Sequence, residues 1–329
     1  MVKSINLITP FKTTSFKRQF VHNSSEIIIT ENGSLDKFYD SVFIYEDLPK
    51  EVTVKTISGN LIYISGEPPI SRKYSPKFLS QFDYVISCHP NISHNNNILS
   101  QQSLPWHFGY DFENDHYNYN YDDLKSMNPK SKGRKISIIA SGKTMMPGHR
   151  RRIEFINGLK KYFPSEIDFY GRDSNSIADK AEAILPYMMS ICIENSSIDN
   201  YWTEKIADAY LGYSLPIYYG CKNIEKYFLK DSYIEIDITR TKDAFEKIEY
   251  LLNNCEVIYN SRLDSIIKSR NLILNTYNIY NLIINFYNDK KLYLNKDNVE
   301  LSLMPTEKFS DYLYYRSLLK LERFIKNIL

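Results

Sequence analysis

The sequence predicts an α/β protein built on parallel sheet, and two observations carry the prediction. Short, almost wholly apolar runs recur along the 329-residue chain, the pattern of strands buried on both faces of a parallel sheet. From residue 135 onward these runs alternate with stretches whose apolar residues repeat at helical spacing, the rhythm of a doubly wound fold. A chain of this length has room for two such domains.

Residues 4–9 (SINLIT), 41–45 (SVFIY), 61–64 (LIYI) and 82–87 (FDYVIS) read as short buried strands of a first α/β domain. Residues 89–102, rich in Asn and Ser, read as loop. The stretch 117–121 (YNYNY) fits a loop or an edge strand equally. Residues 122–135 (DDLKSMNPKSKGRK) are charged, carry a Pro and a Gly, and read as a linker. A clearer pattern follows: strand 135–141, helix 150–162 with Ile153, Ile156 and Leu159 on one face, strand 167–170, a helix near 177–185, strand 189–193, helix 203–211 and strand 215–219. Residues 257–288 read as one long helical region. The stretch 308–329 is amphipathic, with Leu318, Leu319, Leu321, Ile325 and Ile328. It reads as a tail packing back across the lobes, with contact at a membrane surface as the alternative. The expected divisions are 1–125, 126–300 and 301–329.

The formal charge of +2 is too near balance for a general nucleic-acid binder. Cys88, Cys192, Cys221 and Cys255 are far apart and form no CxxC pair, as expected of reduced thiols in a cytosolic protein. No run approaches the roughly 20 apolar residues that span a bilayer, so the expectation is a protein neither secreted nor anchored by its own span. The six histidines have no metal-ligand spacing.

Residues 191–220 hold the densest chemistry: Glu194, Asn195, Ser196, Tyr201, Thr203, Glu204 and Lys205, between one strand end and the next helix start. Thr203 can cap that helix. Lys205 sits where a cation is unfavourable for the helix dipole unless an anion is also present. On spacing alone, an anion site and a solvated, capped helix start are equal readings. Gly212 suits the C′ position that ends the helix. Arg150, Arg151 and Arg152 open an earlier helix after His149 and form a second cationic candidate. Residues 141–144 (SGKT) look like the end of a phosphate loop, but Ser137 stands where that motif needs Gly, which excludes it. Asp122 with Asp123, and Glu235 with Asp237, read as solvated or capping acids. Glu67 follows a buried strand on a turn stiffened by Pro68 and Pro69, well held for base chemistry, though exposed turn glutamates are commoner than catalytic ones. Trp106, His107 and the 117–121 aromatics are candidate ligand-stacking platforms set against plain packing.

These residues resemble the α-1,3/α-1,4-fucosyltransferases of glycosyltransferase family ten, in a bacterial form. Ile193-Glu194-Asn195-Ser196, Tyr201-Trp202-Thr203-Glu204-Lys205, Gly212, Leu215-Pro216-Ile217-Tyr218 and Gly220 are similar to that family's E-N-S strand end, Y-x-T-E-K helix and following P-[IV]-Y/V-x-G strand. Residues 152–159 (RIEFINGL) and 167–171 (IDFYG) resemble its arginine helix and V-D-x-Y-G strand, and 232–237 (SYIEID) its S-F-I-x-x-D segment. Residues 63–69 (YISGEPP) and 82–86 (FDYVI) resemble the bacterial T-G-E and F-D-Y-A-I segments. Trp202 replaces the usual Val or Ile, and Ile193 the usual Phe.

The resemblance implies a GT-B fold of two Rossmann-like lobes with an interlobe active-site cleft. It implies an acceptor-binding first lobe and a donor-binding second lobe. GDP-fucose would be the donor, with inversion at the anomeric carbon and no metal or other cofactor. Arg152 and Lys205 would pair with the diphosphate, with Arg150 and Arg151 as competitors for Arg152's role. Glu194, Asn195, Ser196, Tyr201, Thr203 and Glu204 would complete the donor site, and Glu67 matches the general base. The acceptor would be an oligosaccharide or glycolipid such as lipopolysaccharide, modified at O3 or O4 of GlcNAc or Glc. The implied setting is cytoplasmic, with peripheral contact at the inner membrane and no nucleic-acid partner. The rival readings are a GT-B transferase for another nucleotide sugar, and a non-catalytic nucleotide- or glycan-binding module.

Overall fold

The computed structural model describes residues 2–11, 16, 18–19, 26–111, 113–140, 147–171, 174–295 and 297–328, without the side chains of 147–149 and 322–328. The rejected phosphate-loop stretch 141–144 and the side chain of His149 lie outside the described residues. The chain forms two compact units, Met1–Leu104 with Tyr277–Leu329, and Pro105–Thr276.

The first unit is built on a six-stranded sheet in the order Ile27–Glu31, Lys3–Ile8, Ser41–Tyr45, Leu61–Ile64, Tyr84–Ser87, Asn97–Leu99. Every pairing in it is parallel. The central strands are buried along their whole length because each face has its own cover. Phe43, Tyr45, Ile62 and Ile64 point to one face, where Ile279, Tyr280, Ile283, Phe286 and Tyr287 of the helix Ile279–Asp289 pack on them. Val42, Ile44, Leu61 and Tyr63 point to the other, against Tyr74, Phe78, Leu79 and Phe82. A smaller sheet joins Val52–Ile57 to Phe38–Tyr39 in parallel and to Asn298–Leu303 in antiparallel.

The second unit carries a five-stranded parallel sheet in the order Ile167–Tyr170, Arg134–Ile139, Tyr187–Ile193, Leu215–Tyr219, Ile234–Glu235. The helices Pro147–Tyr162, Glu204–Leu211, Thr241–Asn253 and Cys255–Asn275 accompany it. Among the described side chains of the first helix, Arg152, Phe155, Ile156 and Leu159 are the buried ones, at i, i+3, i+4 and i+7.

Several expectations need correction. Residues 277–329 belong with the first unit, and the division at the other end falls at 104/105, so the segments 1–125, 126–300 and 301–329 do not match the compact units. The helix expected near 177–185 is one 3-10 turn, Lys180–Ala183. The region 257–288 is two helices, broken where Asn278 caps the second by accepting the Asn281 N–H. Stretch 117–121 ends a two-stranded ribbon (Tyr110–Asp111 with His116–Tyr117), and the linker begins with a helix, Tyr121–Ser126. The tail is a strand, Asn298–Leu303, followed by the helix Tyr312–Ile328. Gly212 is the C-cap at φ −88°, and Tyr213 takes the left-handed C′ conformation at φ 55°. Ser214 N–H donates to Ala209 O and Tyr213 N–H to Tyr210 O, a Schellman ending. Gly212 is needed for closeness instead: a Cβ there would lie 2.4 Å from Ile184 Cγ2.

Candidate active site

Strands Arg134–Ile139 and Tyr187–Ile193 are neighbours whose chains leave in opposite directions, one towards Ile167–Tyr170 and the other towards Leu215–Tyr219. A crevice at the C-terminal ends of such a pair is where doubly wound sheets take ligands. The helix bearing Arg152 follows the first strand, and the 194–203 loop follows the second.

Glu194 continues its strand, donating its N–H to Tyr219 O at 2.8 Å. Its side chain turns inward and is 1 % exposed. Gly220 makes the room, since a Cβ there would lie 2.4 Å from Glu194 Cγ. The carboxylate accepts the Thr203 N–H (2.8 Å), the Thr203 hydroxyl (2.8 Å) and the Lys205 ammonium (3.0 Å). Thr203 caps the helix, its Oγ1 accepting the Lys205 N–H at 3.3 Å. Lys205 Nζ also reaches Thr203 Oγ1 (2.9 Å) and Glu204 Oε1 (3.3 Å). The cation that sequence alone left without a reason is therefore balanced by carboxylates of the chain itself.

Burial pushes the Glu194 carboxyl above the usual range, with Lys205 opposing. Burial would lower Lys205, but Glu194 and Glu204 outweigh it and hold the ammonium firmly charged. Burial would raise Glu204, but Lys205, Lys180 and His107 outweigh it and keep the carboxyl well below its ordinary range.

Arg152 is buried and donates through Nη1 to Asn195 Oδ1 at 2.6 Å, linking the helix of one strand to the loop of the other across the crevice. Burial lowers its pKa, opposed by Glu194, Glu204 and Tyr201. Arg150 and Arg151 are exposed. Tyr201 is buried and Ser196 half-buried in the same loop. Trp202 packs on Tyr227 and Phe228, with ring centroids 5.9 and 5.1 Å away.

Sequence reasoning missed three contributors. Asp208, 1 % exposed, accepts the backbone N–H groups of His107 (2.8 Å) and Phe108 (2.9 Å) and the Lys180 ammonium (2.7 Å). Lys180 in turn lies 3.9 Å from Glu204 Oε1. Lys180, Lys205, Asp208, Cys192, Ile139 and Ile191 line a small pocket of ≈ 30 Å³. Burial and Lys180 hold the His107 imidazole below its usual pKa. Asn200, at φ 61°, pins the loop by accepting from Tyr227 OH (2.6 Å) and Asn223 Nδ2 (3.1 Å). Asn tolerates that left-handed conformation better than most residues, which was the available signal.

Trp106, 1 % exposed, is core and presents no platform. Asp123 closes a capping box with Asn120, and Glu235 pairs with Lys230 at 2.7 Å. Among the described residues no group of three or more His, Cys, Asp or Glu is placed to hold a metal ion. No helix among them is long and apolar enough to cross a membrane. In the first unit, Glu67 is exposed just beyond Leu61–Ile64, and its carbonyl accepts from His89 Nε2 at 2.7 Å.

Residues 129–261 match the model of glycosyltransferase family 10 (fucosyltransferase), C-terminal part. Over that stretch the chain is similar to a family-ten glycosyltransferase domain. The family-ten match spans the whole strand–loop–helix–strand site just described. The chain is 29 % identical over 96 residues to the alpha-(1,3)-fucosyltransferase FucT of Helicobacter pylori, covering 28 % of this chain and 20 % of that protein. It is 28 % identical over 148 residues to a putative fucosyltransferase-like protein of Arabidopsis thaliana, covering 44 % and 28 %. The matched segments thus span about a fifth and just over a quarter of those relatives. A crystal structure of alpha1,3-fucosyltransferase superposes with a TM-score of 0.52 at 18 % identity, over 84 % of this chain and 92 % of that one. An alpha-glucosyltransferase in complex with UDP and DNA gives 0.53 at 9 % identity, over 90 % and 100 %. The fold is GT-B, with a Rossmann-like parallel sheet in each unit.

Proposed function

We propose that the protein transfers L-fucose from GDP-fucose to a glycan hydroxyl with inversion at the anomeric carbon. The observation that carries the reading is the Arg152–Asn195 link beside the Lys205–Glu194–Glu204 cluster, at the switch point of the stretch that matches family ten. Arg152 and Lys205 pair with the donor diphosphate there, with Asn195, Ser196 and Tyr201 lining it. Glu204 meets fucose hydroxyls as a charged acceptor. Glu194 and Thr203 hold Lys205 in place.

In the reaction the Glu67 carboxylate takes the acceptor hydroxyl proton as that oxygen bonds to the anomeric carbon. The bond from that carbon to the diphosphate oxygen breaks, and its electron pair stays on the GDP. Arg152 and Lys205 stabilise the charge that develops there, so a coordinated cation is not needed for that step. The acceptor is a surface glycan of the lipopolysaccharide type, modified at O3 or O4 of GlcNAc or Glc. The enzyme acts in the cytoplasm, with peripheral contact at the inner membrane.

The test is GDP release from GDP-fucose with N-acetyllactosamine, without added metal, alongside titration with GDP and UDP. Turnover, with GDP bound more tightly than UDP, supports the reading. Glu67→Gln is expected to spare GDP binding and lower kcat by about two to four decades. Tighter UDP binding would redirect the donor, and an undiminished Glu67→Gln rate would remove Glu67 as the base.

A further inference from the structure

We propose that Glu46 is a positioning residue for Glu67, fixing the peptide that carries the base. The inference rests on the reading of Glu67 as that base and concerns the first unit alone. Glu46 directly follows the strand Ser41–Tyr45 and is 4 % exposed, at φ 72°. A left-handed backbone at a non-glycine residue and a carboxylate out of water both cost stability, and a plain loop needs neither.

What the two costs achieve is visible in the contacts. The Glu46 carboxylate accepts the N–H of Gly66, on the N-terminal side of Glu67. On the far side of the same residue, His89 Nε2 holds the Glu67 carbonyl at 2.7 Å, and Ser65 Oγ donates to it at 3.3 Å. A carbonyl only accepts, so the His89 proton is on Nε2. Glu67 is therefore held at its own C=O and at the N–H of the residue before it, while its side chain stays exposed. Gly66 is what lets the carboxylate in, because a Cβ there would lie 2.9 Å from both Glu46 Oε1 and Tyr45 OH.

The clamp is itself braced. Arg72 donates to Glu46 Oε2 at 3.0 Å, to Asp47, and to Thr306 Oγ1 at 3.0 Å. Thr306 closes the ring on Asp47 Oδ2 at 2.7 Å, and the Tyr63 hydroxyl takes the Glu46 carbonyl. With the preceding N–H and its own carbonyl held, the Cα–Cβ direction of Glu67 has little freedom. A base displaced by about 1 Å loses on the order of 100-fold in rate.

The experiment measures kcat, donor KM and GDP affinity for wild type, Glu46→Gln, Glu67→Gln and the double variant, with GDP-fucose and N-acetyllactosamine. Glu46→Gln is expected to lower kcat by about 10- to 100-fold with GDP affinity unchanged. In the Glu67→Gln background the same substitution is expected to add less than about threefold, because its effect passes through the base. Multiplying losses in the double variant, or a wild-type kcat for Glu46→Gln, would overturn the inference. A wild-type kcat for Glu67→Gln would instead remove the base reading on which it stands. Should Glu46→Gln not fold, His89 supplies the second arm. His89→Gln keeps a donor at the reach of Nε2 and is expected to hold kcat, while His89→Leu is expected to lower it. Equal rates for those two variants would overturn the clamp.

Discussion

Replacing Lys205 with Met separates what this lysine does for the fold from its proposed contact with the donor. In the folded chain its ammonium lies 3.0 Å from Glu194 Oε2, on a carboxylate that is 1 % exposed. Removing one partner of a buried pair costs about 3–5 kcal/mol. The lower end, about 3 kcal/mol, applies here, because Glu194 keeps the Thr203 N–H and hydroxyl and the Lys205 side chain is 21 % exposed. Loss of one charge-assisted phosphate contact costs a further 1.5–3 kcal/mol or so of binding, about 10- to 150-fold in GDP affinity. Urea denaturation reads the first quantity and calorimetric titration with GDP the second. Adding Glu194→Gln to Lys205→Met removes the stranded charge, so most of the stability is expected to return while the GDP affinity stays low. Return of both together would refute the reasoning, since Lys205 would then act on the donor only by holding the loop.

Arg152→Ala is expected to weaken GDP binding at least tenfold, and Arg150→Ala and Arg151→Ala less than about threefold, because only Arg152 is turned inward to Asn195; the same titration checks this. Lys132→Met is expected to cost about 2–3 kcal/mol in urea with GDP affinity unchanged, since its ammonium serves Ile184 O, Leu185 O and Gly212 O at 3.2, 2.7 and 2.8 Å. Burial pushes His89 down to about 4 from its ordinary 6.5, so between those pH values the unfolded chain binds the extra proton. Its contribution is whole above pH 6.5 and is lost as pH falls through 4, by about 3 kcal/mol in all. His89→Gln is expected to remove that slope from the difference between pH-dependent unfolding curves.

The sequence was most readable where burial is local. Strand Leu215–Tyr219 is a continuous apolar run, as its burial over Leu215–Tyr218 requires. Arg152 was singled out by the resemblance of 152–159 to an arginine helix; its seven-residue step to Leu159 is two helical turns, and both are buried. What stayed hidden depends on contacts between distant residues. Asp208 looks like one more acid on a helix until the backbone of His107, about 100 positions earlier, arrives to use it. Lys132 lies in a stretch with the composition of a linker, and only the three carbonyls around it reveal a buried anchor. Residues 257–288 read as one helix because apolar spacing runs unbroken through Asn278, whose capping role needs the bond to Asn281 to be seen. Glu194 was placed among ligand-binding residues because its type and position suit a ligand, whereas its depth and its bonds to Thr203 turn it towards the chain's own lysine.

The first unit takes its closing pieces from the far end of the chain, and this has a consequence for biosynthesis. Val52–Ile57 waits for Asn298–Leu303, and one face of the large sheet waits for Ile279–Asp289. During translation the intervening unit, Pro105–Thr276, is contiguous and can reach its native state while the earlier-made strands are still uncovered. The ribosome therefore delivers the two halves out of order. Bare parallel strands made first must be shielded from neighbouring nascent chains until residues 277–303 emerge.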